Sequence, residues 1–468
     1  MLTNVNLSPG GSAGVNPSAY RINKIILTNH GGREVDIAGL VTDFFITESI
    51  YSPFLTLEMN IRDDVNFLEE YQISGQEKIL VSFSKNEYQE DVFPELSTLD
   101  EVTIEHTFVA TEYPVYAKAS NNRSQALIVR GVSPHAYLSK FKKISRAYND
   151  TAVNIIRNIL INDLGYDESK IVISSAASPQ MRVIIPYLDP LSAIAWILRR
   201  SFDENSAPIF CYETLSDKLM IQSYSDFVSS ENSPHREYRE GKFFTNELLD
   251  DYTQSYLQMS SRILNLSSNI QLSKFVPGSQ GAYSSKTRYT DIAKKTYRDD
   301  IFDYVGEFDS MVWIDRGKAI STQFKLSENE RSLNEYEESK VNFVSLNTLA
   351  FDEESGEFNY HQPTVGNVLN KAGSYIENLD SIIHELQLYG DALMRSGKCV
   401  NLHLVKAQDP DVEMREDKAR GGQSKDEFLS GRYIVSGVKH SFGNEYYMQI
   451  RVKKDTFSYI FEEYDEYD

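Results

Sequence analysis

The sequence predicts a mainly β protein with helices added, an α+β fold. Three observations predict it. Tyr (29) and Phe (24) are abundant while Trp and Cys number only 2 each, and aromatic side chains suit a pleated surface. Alternation at period two recurs along the chain, most clearly at Leu55, Leu57, Met59 and Ile61, and marks half-buried strands. Helical periodicity is found in two segments between the strand-rich regions.

Residues 1–18, rich in Asn, Ser, Gly and Pro, read as a flexible arm. Residues 19–115 read as one all-β unit. There Ile22, Ile25 and Leu27 lead into a turn at His30-Gly31-Gly32, and Val35 to Ile46 follows. Ile79–Phe83 and Val102–Tyr113 continue the series. A second unit begins near Tyr116 with a strand over Ala126–Val132. Asp150 is placed to cap a helix bearing Val153, Ile156, Ile159, Leu160 and Leu164, and Gly165 to stop it. Asp189-Pro190 opens another helix through Leu191, Ile194, Ile197 and Leu198, since proline costs nothing in a first turn. Strands are expected at Pro208–Tyr212 and Leu219–Tyr224.

Residues 230–375 are polar, with strand-like runs at Ser310–Ile314 and Lys340–Val344 and an acidic turn at Phe351–Gly356. This stretch reads as inserted peripheral subdomains. Strand patterns return at Ile382–Leu388 and Cys399–Val405. Arg432–Phe442 and Tyr446–Val452 flank Gly443-Asn444, a hairpin turn. Lys406–Phe428 is too charged to pack. The second unit thus spans 116–229 and 376–457, and 458–468 is an acidic tail.

Lys+Arg of 47 against Asp+Glu of 68 leaves a net charge of -21. An acidic surface repels phosphate and disfavours nucleic-acid binding. Such charge suits simple solubility first, and also a wall past which DNA slides without sticking. Cys211 and Cys399 make no disulfide framework. The N-terminus lacks the layout of a signal peptide. No apolar stretch approaches the length of a membrane span, so no membrane insertion is expected.

No catalytic, cofactor-binding or metal-ligating residue emerges. Gly10-Gly-Ser-Ala-Gly14 spells a nucleophile-elbow pattern, but in an arm without the flanking strand and helix. The histidines at 30, 106, 135, 235, 361, 384, 403 and 440 are dispersed, with no pair at the spacing of one helical turn. His403 and His440 fall on expected strands and read as core or interface residues. Asp409-Pro-Asp-Val-Glu413 lacks the central glycine of a calcium loop. Acidic pairs such as Asp63-Asp64 and Asp250-Asp251 are common among 68 acidic residues. The expectation is a protein that is not an enzyme and takes no cofactor.

Three stretches together carry a resemblance. The first is Val35–Gly39 with Phe45-Ile-Thr-Glu-Ser-Ile-Tyr-Ser-Pro-Phe54, Ile61-Arg-Asp-Asp64 and Ile73-Ser-Gly-Gln-Glu77. It resembles the opening β-unit of central baseplate hub proteins of contractile-tailed phages. The second, Ile184-Ile-Pro-Tyr-Leu-Asp-Pro-Leu191 with Ala195-Trp196, resembles a helix start shared by hubs and the VgrG proteins of type VI secretion. The third is Tyr389-Gly-Asp391, Gly397 and Leu429-Ser-Gly-Arg-Tyr-Ile-Val435 through Val438-Lys-His440. It resembles the closing barrel.

The resemblance implies two tube-like β-barrel domains per chain and a homotrimer forming a pseudo-six-fold ring. That ring would join a hexameric tail tube, or a distal tube-initiator protein, to a trimeric central spike. Tape measure and baseplate wedge proteins are further expected partners, and DNA would pass through the channel without specific binding. A virion location with assembly in the host cytoplasm follows. Three chains carry 3 × (-21) = -63 charges, so some acidic surface is expected to face the channel. VgrG chains continue into a spike, whereas this sequence stops at Asp468, shortly after Phe457, so a separate spike protein is expected. The hub of a phage-derived injection system and a tail-associated cell-wall hydrolase are the alternatives. Sequence singles out no interface residues.

Overall fold

The computed structural model describes residues 16–88, 99–118, 124–174, 180–229, 232–240, 252–270, 275–291, 295–314, 331–346, 368–406 and 425–456. Alternation dictates its first unit. This comprises β1 (Arg21–Thr28), β2 (Glu34–Asp36), β3 (Val41–Ser49), β4 (Thr56–Asp63), β5 (Lys78–Tyr88), β6 (Leu99–Glu112), β7 (Val115–Lys118) and β8 (Gln125–Val132). In β4, Leu57, Met59 and Ile61 are buried while Thr56 and Arg62 face out. The strands pair in the order β3-β4-β8-β6-β5-β1-β2 around one apolar core.

The middle of the chain adds β9 (Ala147–Thr151), β10 (Ile171–Ile173), β11 (Gln180–Ile184), β12 (Ile209–Thr214) and β13 (Lys218–Ser223). Two helices, Ala152–Asn158 and Pro190–Leu198, share a second core with β10, β12 and β13. Thr151, not Asp150, caps the first helix: Asp150 sits on β9, and the Thr151 hydroxyl accepts from the Asn154 N–H. Gly165, at φ 70°, stops this helical segment as expected. Asp189 caps the second by accepting from the Ser192 N–H, with Pro190 in the first turn.

The remaining strands are β14 (Glu237–Arg239), β15 (Asn265–Ile270), β16 (Ser284–Asp291), β17 (Thr296–Asp303), β18 (Val341–Leu346), β19 (Ile382–Tyr389), β20 (Cys399–His403), β21 (Gly431–Phe442) and β22 (Tyr446–Lys454). β17-β16-β18 form a separate small sheet. β14 and β15 instead join the main sheet, pairing with β20 and β19. The stretch 230–375 is therefore not wholly an insertion. β15 is an edge strand of sequence Asn-Leu-Ser-Ser-Asn-Ile, mostly exposed, and so carries little apolar alternation. Ser310–Ile314 is not a strand: Phe308–Ser310 forms a 3₁₀ turn, and Trp313 stacks on Phe308 at 4.6 Å between ring centroids. Ser18, expected in a free arm, is buried, and its carbonyl accepts from the Tyr446 N–H at 2.9 Å. The Phe351–Gly356 turn, most of the Lys406–Phe428 loop and the acidic tail lie outside the described residues.

One sheet of 14 strands runs β15-β19-β22-β21-β3-β4-β8-β6-β5-β1-β2, with β7, β14 and β20 attached to it. Its join is β21 against β3, antiparallel from Gly437 opposite Ser49 to Phe442 opposite Phe44. The end of this C-terminal hairpin completes the first unit's core. Phe442 is fully buried there, stacked on Phe44 at 4.5 Å and Tyr446 at 4.3 Å, with Phe83 at 4.4 Å. Burying one such ring contributes about 1.5–3 kcal/mol.

Candidate functional site

Side chains alternate across a sheet, so one face of the joined sheet turns away from both cores. Register fixes its rows. Asn265, Gln387, Gln449, Lys439, Thr47, Thr56 and Val132 line up across β15, β19, β22, β21, β3, β4 and β8. A parallel row runs Ser267, Glu385, Arg451, Gly437, Ser49. The face encloses a hollow of about 480 Å³ lined by residues of both rows.

This face is polar and its charges are matched. Arg451 reaches Glu385 at 2.5 Å. Arg130 bridges Glu58 at 3.1 Å and Glu112 at 3.2 Å. Lys453 pairs with Asp380, and Lys439 lies 4.3 Å over the Phe45 ring. The acidity of the chain is not concentrated here.

Behind the face, a seam of buried ionic groups ties the two units. Glu48 on β3 accepts from the Leu215 N–H at 2.7 Å and from the Ser396 N–H. Glu87 on β5 accepts from Lys85 at 2.8 Å, the Ala392 N–H at 2.6 Å and the Tyr256 hydroxyl at 3.2 Å. Asp391 receives His235 Nε2 at 3.0 Å and Arg236 at 3.2 Å. Lys398 donates to His235 Nδ1 at 3.1 Å, which leaves the ring proton on Nε2, facing Asp391.

Burial pushes the Glu48 carboxyl upward. Burial, reinforced by Asp391, raises Glu87 against the pull of Lys85. Burial opposes ionisation of Asp391 too, but Arg236 and His235 hold it well below the ordinary carboxylate range. Burial lowers His235 and Lys398. Every carboxylate of the seam is engaged by several donors, which is the arrangement of a structural brace.

The histidines divide accordingly. His384 bonds Ser268 at 2.8 Å and Tyr433 at 3.1 Å, and burial lowers it to about 4. His403, on β20, lies 3.3 Å from Glu237. His440 is fully buried, with Nδ1 on the Tyr446 hydroxyl at 2.7 Å, and burial lowers it to about 3. Its Nε2 has no partner among the described residues, so it is a core residue only half satisfied. Asp63 is engaged structurally, accepting from the Phe67 N–H at 2.9 Å and from Gln125 on β8 at 2.6 Å. Gly10–Gly14, His361, Asp250-Asp251 and Asp409–Glu413 lie outside the described residues. Sequence reasoning missed the seam entirely, because its members are scattered from Glu48 to Lys398. It also missed a convergence of His106, Glu213 and Asp217.

No protein-family model and no curated protein sequence matches the chain. Among solved structures, its neighbours are phage tail and type VI secretion proteins. A tail protein from Neisseria meningitidis aligns at 9% identity over 94% of this chain and 98% of its own, with a TM-score of 0.48. A prophage 43 kDa tail protein from Shewanella oneidensis aligns at 12% identity over 92% of this chain and 98% of its own, TM-score 0.44. An Escherichia coli type VI secretion component, itself similar to bacteriophage tail proteins, aligns at 10% identity over 90% of this chain and 75% of its own, TM-score 0.41.

Proposed function

We propose that the protein is a structural, non-enzymatic hub of a contractile tail baseplate. Three copies form a pseudo-six-fold ring whose channel is lined by the polar face of the joined sheet. The ring joins a hexameric tail tube, or its distal initiator, to a trimeric central spike. Tape measure and wedge proteins are its further neighbours in the virion.

One observation carries this reading. The first and third stretches that resemble hub proteins, near opposite ends of the sequence, lie side by side as β3 and β21. Each β-unit supplies strands to one continuous wall, as a ring with twice as many wall segments as chains requires. The buried seam makes the pair rigid, so three chains can present six fixed segments.

The wall that this reading assigns to DNA is charge-balanced, not acidic. Low adhesion then comes from pairing: an arginine already held by a carboxylate gains little from releasing phosphate counterions. Reconstruction of the virion with a tag on an exposed loop of this chain is the test. Density on the tail axis, between tube and spike, is expected. Density on the baseplate periphery rejects the hub and favours a peripheral tail protein.

A further inference from the structure

We propose that His106, Glu213 and Asp217 form a binding site for a divalent transition-metal ion, with zinc as its reference ligand. The site would clamp β6 of the first unit to the β12–β13 turn. This inference does not rest on the assembly role.

Three observations carry it. First, one ligand atom from each residue lies within 4.8 Å of the other two, with His106 and Glu213 buried and Asp217 half-buried. Second, His106 Nε2 donates to the Leu215 carbonyl at 2.8 Å. A carbonyl can only accept, so that bond fixes the tautomer and leaves a lone pair on Nδ1. A ring N–H held by a backbone carbonyl is the usual support of a metal-ligating histidine.

Third, Glu213 is only 3% exposed yet forms no ion pair with Lys or Arg among the described residues. Its Oε1 accepts from the Tyr166 hydroxyl at 2.8 Å, and its Oε2 accepts from the Leu55 N–H at 3.1 Å and from Ser133. These neutral donors orient the carboxylate and use three of its roughly four lone-pair directions. None of these donors is a cation, so a metal ion would bring the positive charge that they lack.

Metal bonds of about 2 Å place tetrahedral ligands roughly 3.3 Å apart, so closure from separations of up to 4.8 Å needs a movement of at most about 1.5 Å. Asp217 is the residue placed to make it. It sits on a turn at φ 57° and would exchange its surface partner Lys170 for the metal. A nitrogen and two oxygen ligands select zinc-like ions over magnesium, which prefers oxygen alone.

Native mass spectrometry of the full chain with zinc or magnesium chloride tests the site. One zinc per chain is expected, and no magnesium. His106→Gln should abolish the zinc adduct, and Asp217→Asn, a change on the half-exposed turn, should weaken it at least tenfold. His403→Gln should leave it intact. Circular dichroism identical to the parent shows that each variant is folded. The proposal is overturned if the parent takes up no zinc, if magnesium binds equally, or if folded His106→Gln and Asp217→Asn both retain zinc at parental affinity.

Discussion

Replacing Phe442 by alanine perturbs both β-units through one side chain. Phe442 belongs to β21, in the second unit by sequence, yet it packs in the core of the first. Truncating a buried phenylalanine costs about 3–5 kcal/mol. Three ring contacts within 4.5 Å are lost together, and each adds about 0.5–1.5 kcal/mol beyond area. The expected loss is therefore about 4–5 kcal/mol, at the top of the truncation range. Phe442→Leu, which keeps most of the volume, should cost about half as much. Urea denaturation reads the total. Hydrogen exchange followed by mass spectrometry reads its location: amides of β3 and β5 should lose protection along with β21 and β22. A loss under about 1 kcal/mol, far below the truncation range, or exchange confined to β21 and β22, would refute the claim that the hairpin completes the first core.

Three further outcomes are expected. Asp391→Ala strips Arg236 of its buried counter-charge and His235 of its hydrogen-bond acceptor and should cost about 3–5 kcal/mol by denaturant titration. Arg451→Ala breaks only an exposed pair on the polar face and should change stability by less than about 1 kcal/mol. Asp455 is buried against the Tyr224 hydroxyl and the Ile314 N–H, and burial raises it from 3.8 to about 6. The folded chain then binds its proton more tightly than the unfolded chain. The stability this contributes is full below pH 3.8 and is lost as pH rises to about 6. Relative to Asp455→Asn, the parent should lose about 3 kcal/mol across that interval, measured as unfolding midpoints against pH.

The frame was legible where burial is one-sided. β4, β19 and β22 alternate because one side of each strand meets a core, and helix starts were legible where proline and a capping side chain coincide at Asp189-Pro190. β15 was missed because only Leu266 and Ile270 of this edge strand are apolar, too few to show alternation. Ser310–Ile314 misled because aromatic residues that stack on one another look like a strand in one dimension. The polar face was hidden for a different reason. Lys439, Gln449 and Thr47 are ordinary surface residues until register aligns them. The seam and the His106 cluster join residues from distant parts of the chain, and no local spacing announces such a meeting.

The central claim is that three copies of this chain make one ring. Sedimentation equilibrium on the purified protein, alone and with the candidate spike, tests it most directly. The account predicts a species of three times the 53.4 kDa chain mass for the protein alone, or three chains plus the mass of the bound spike once the spike is added. A 53.4 kDa species that stays monomeric and ignores the spike would contradict the account.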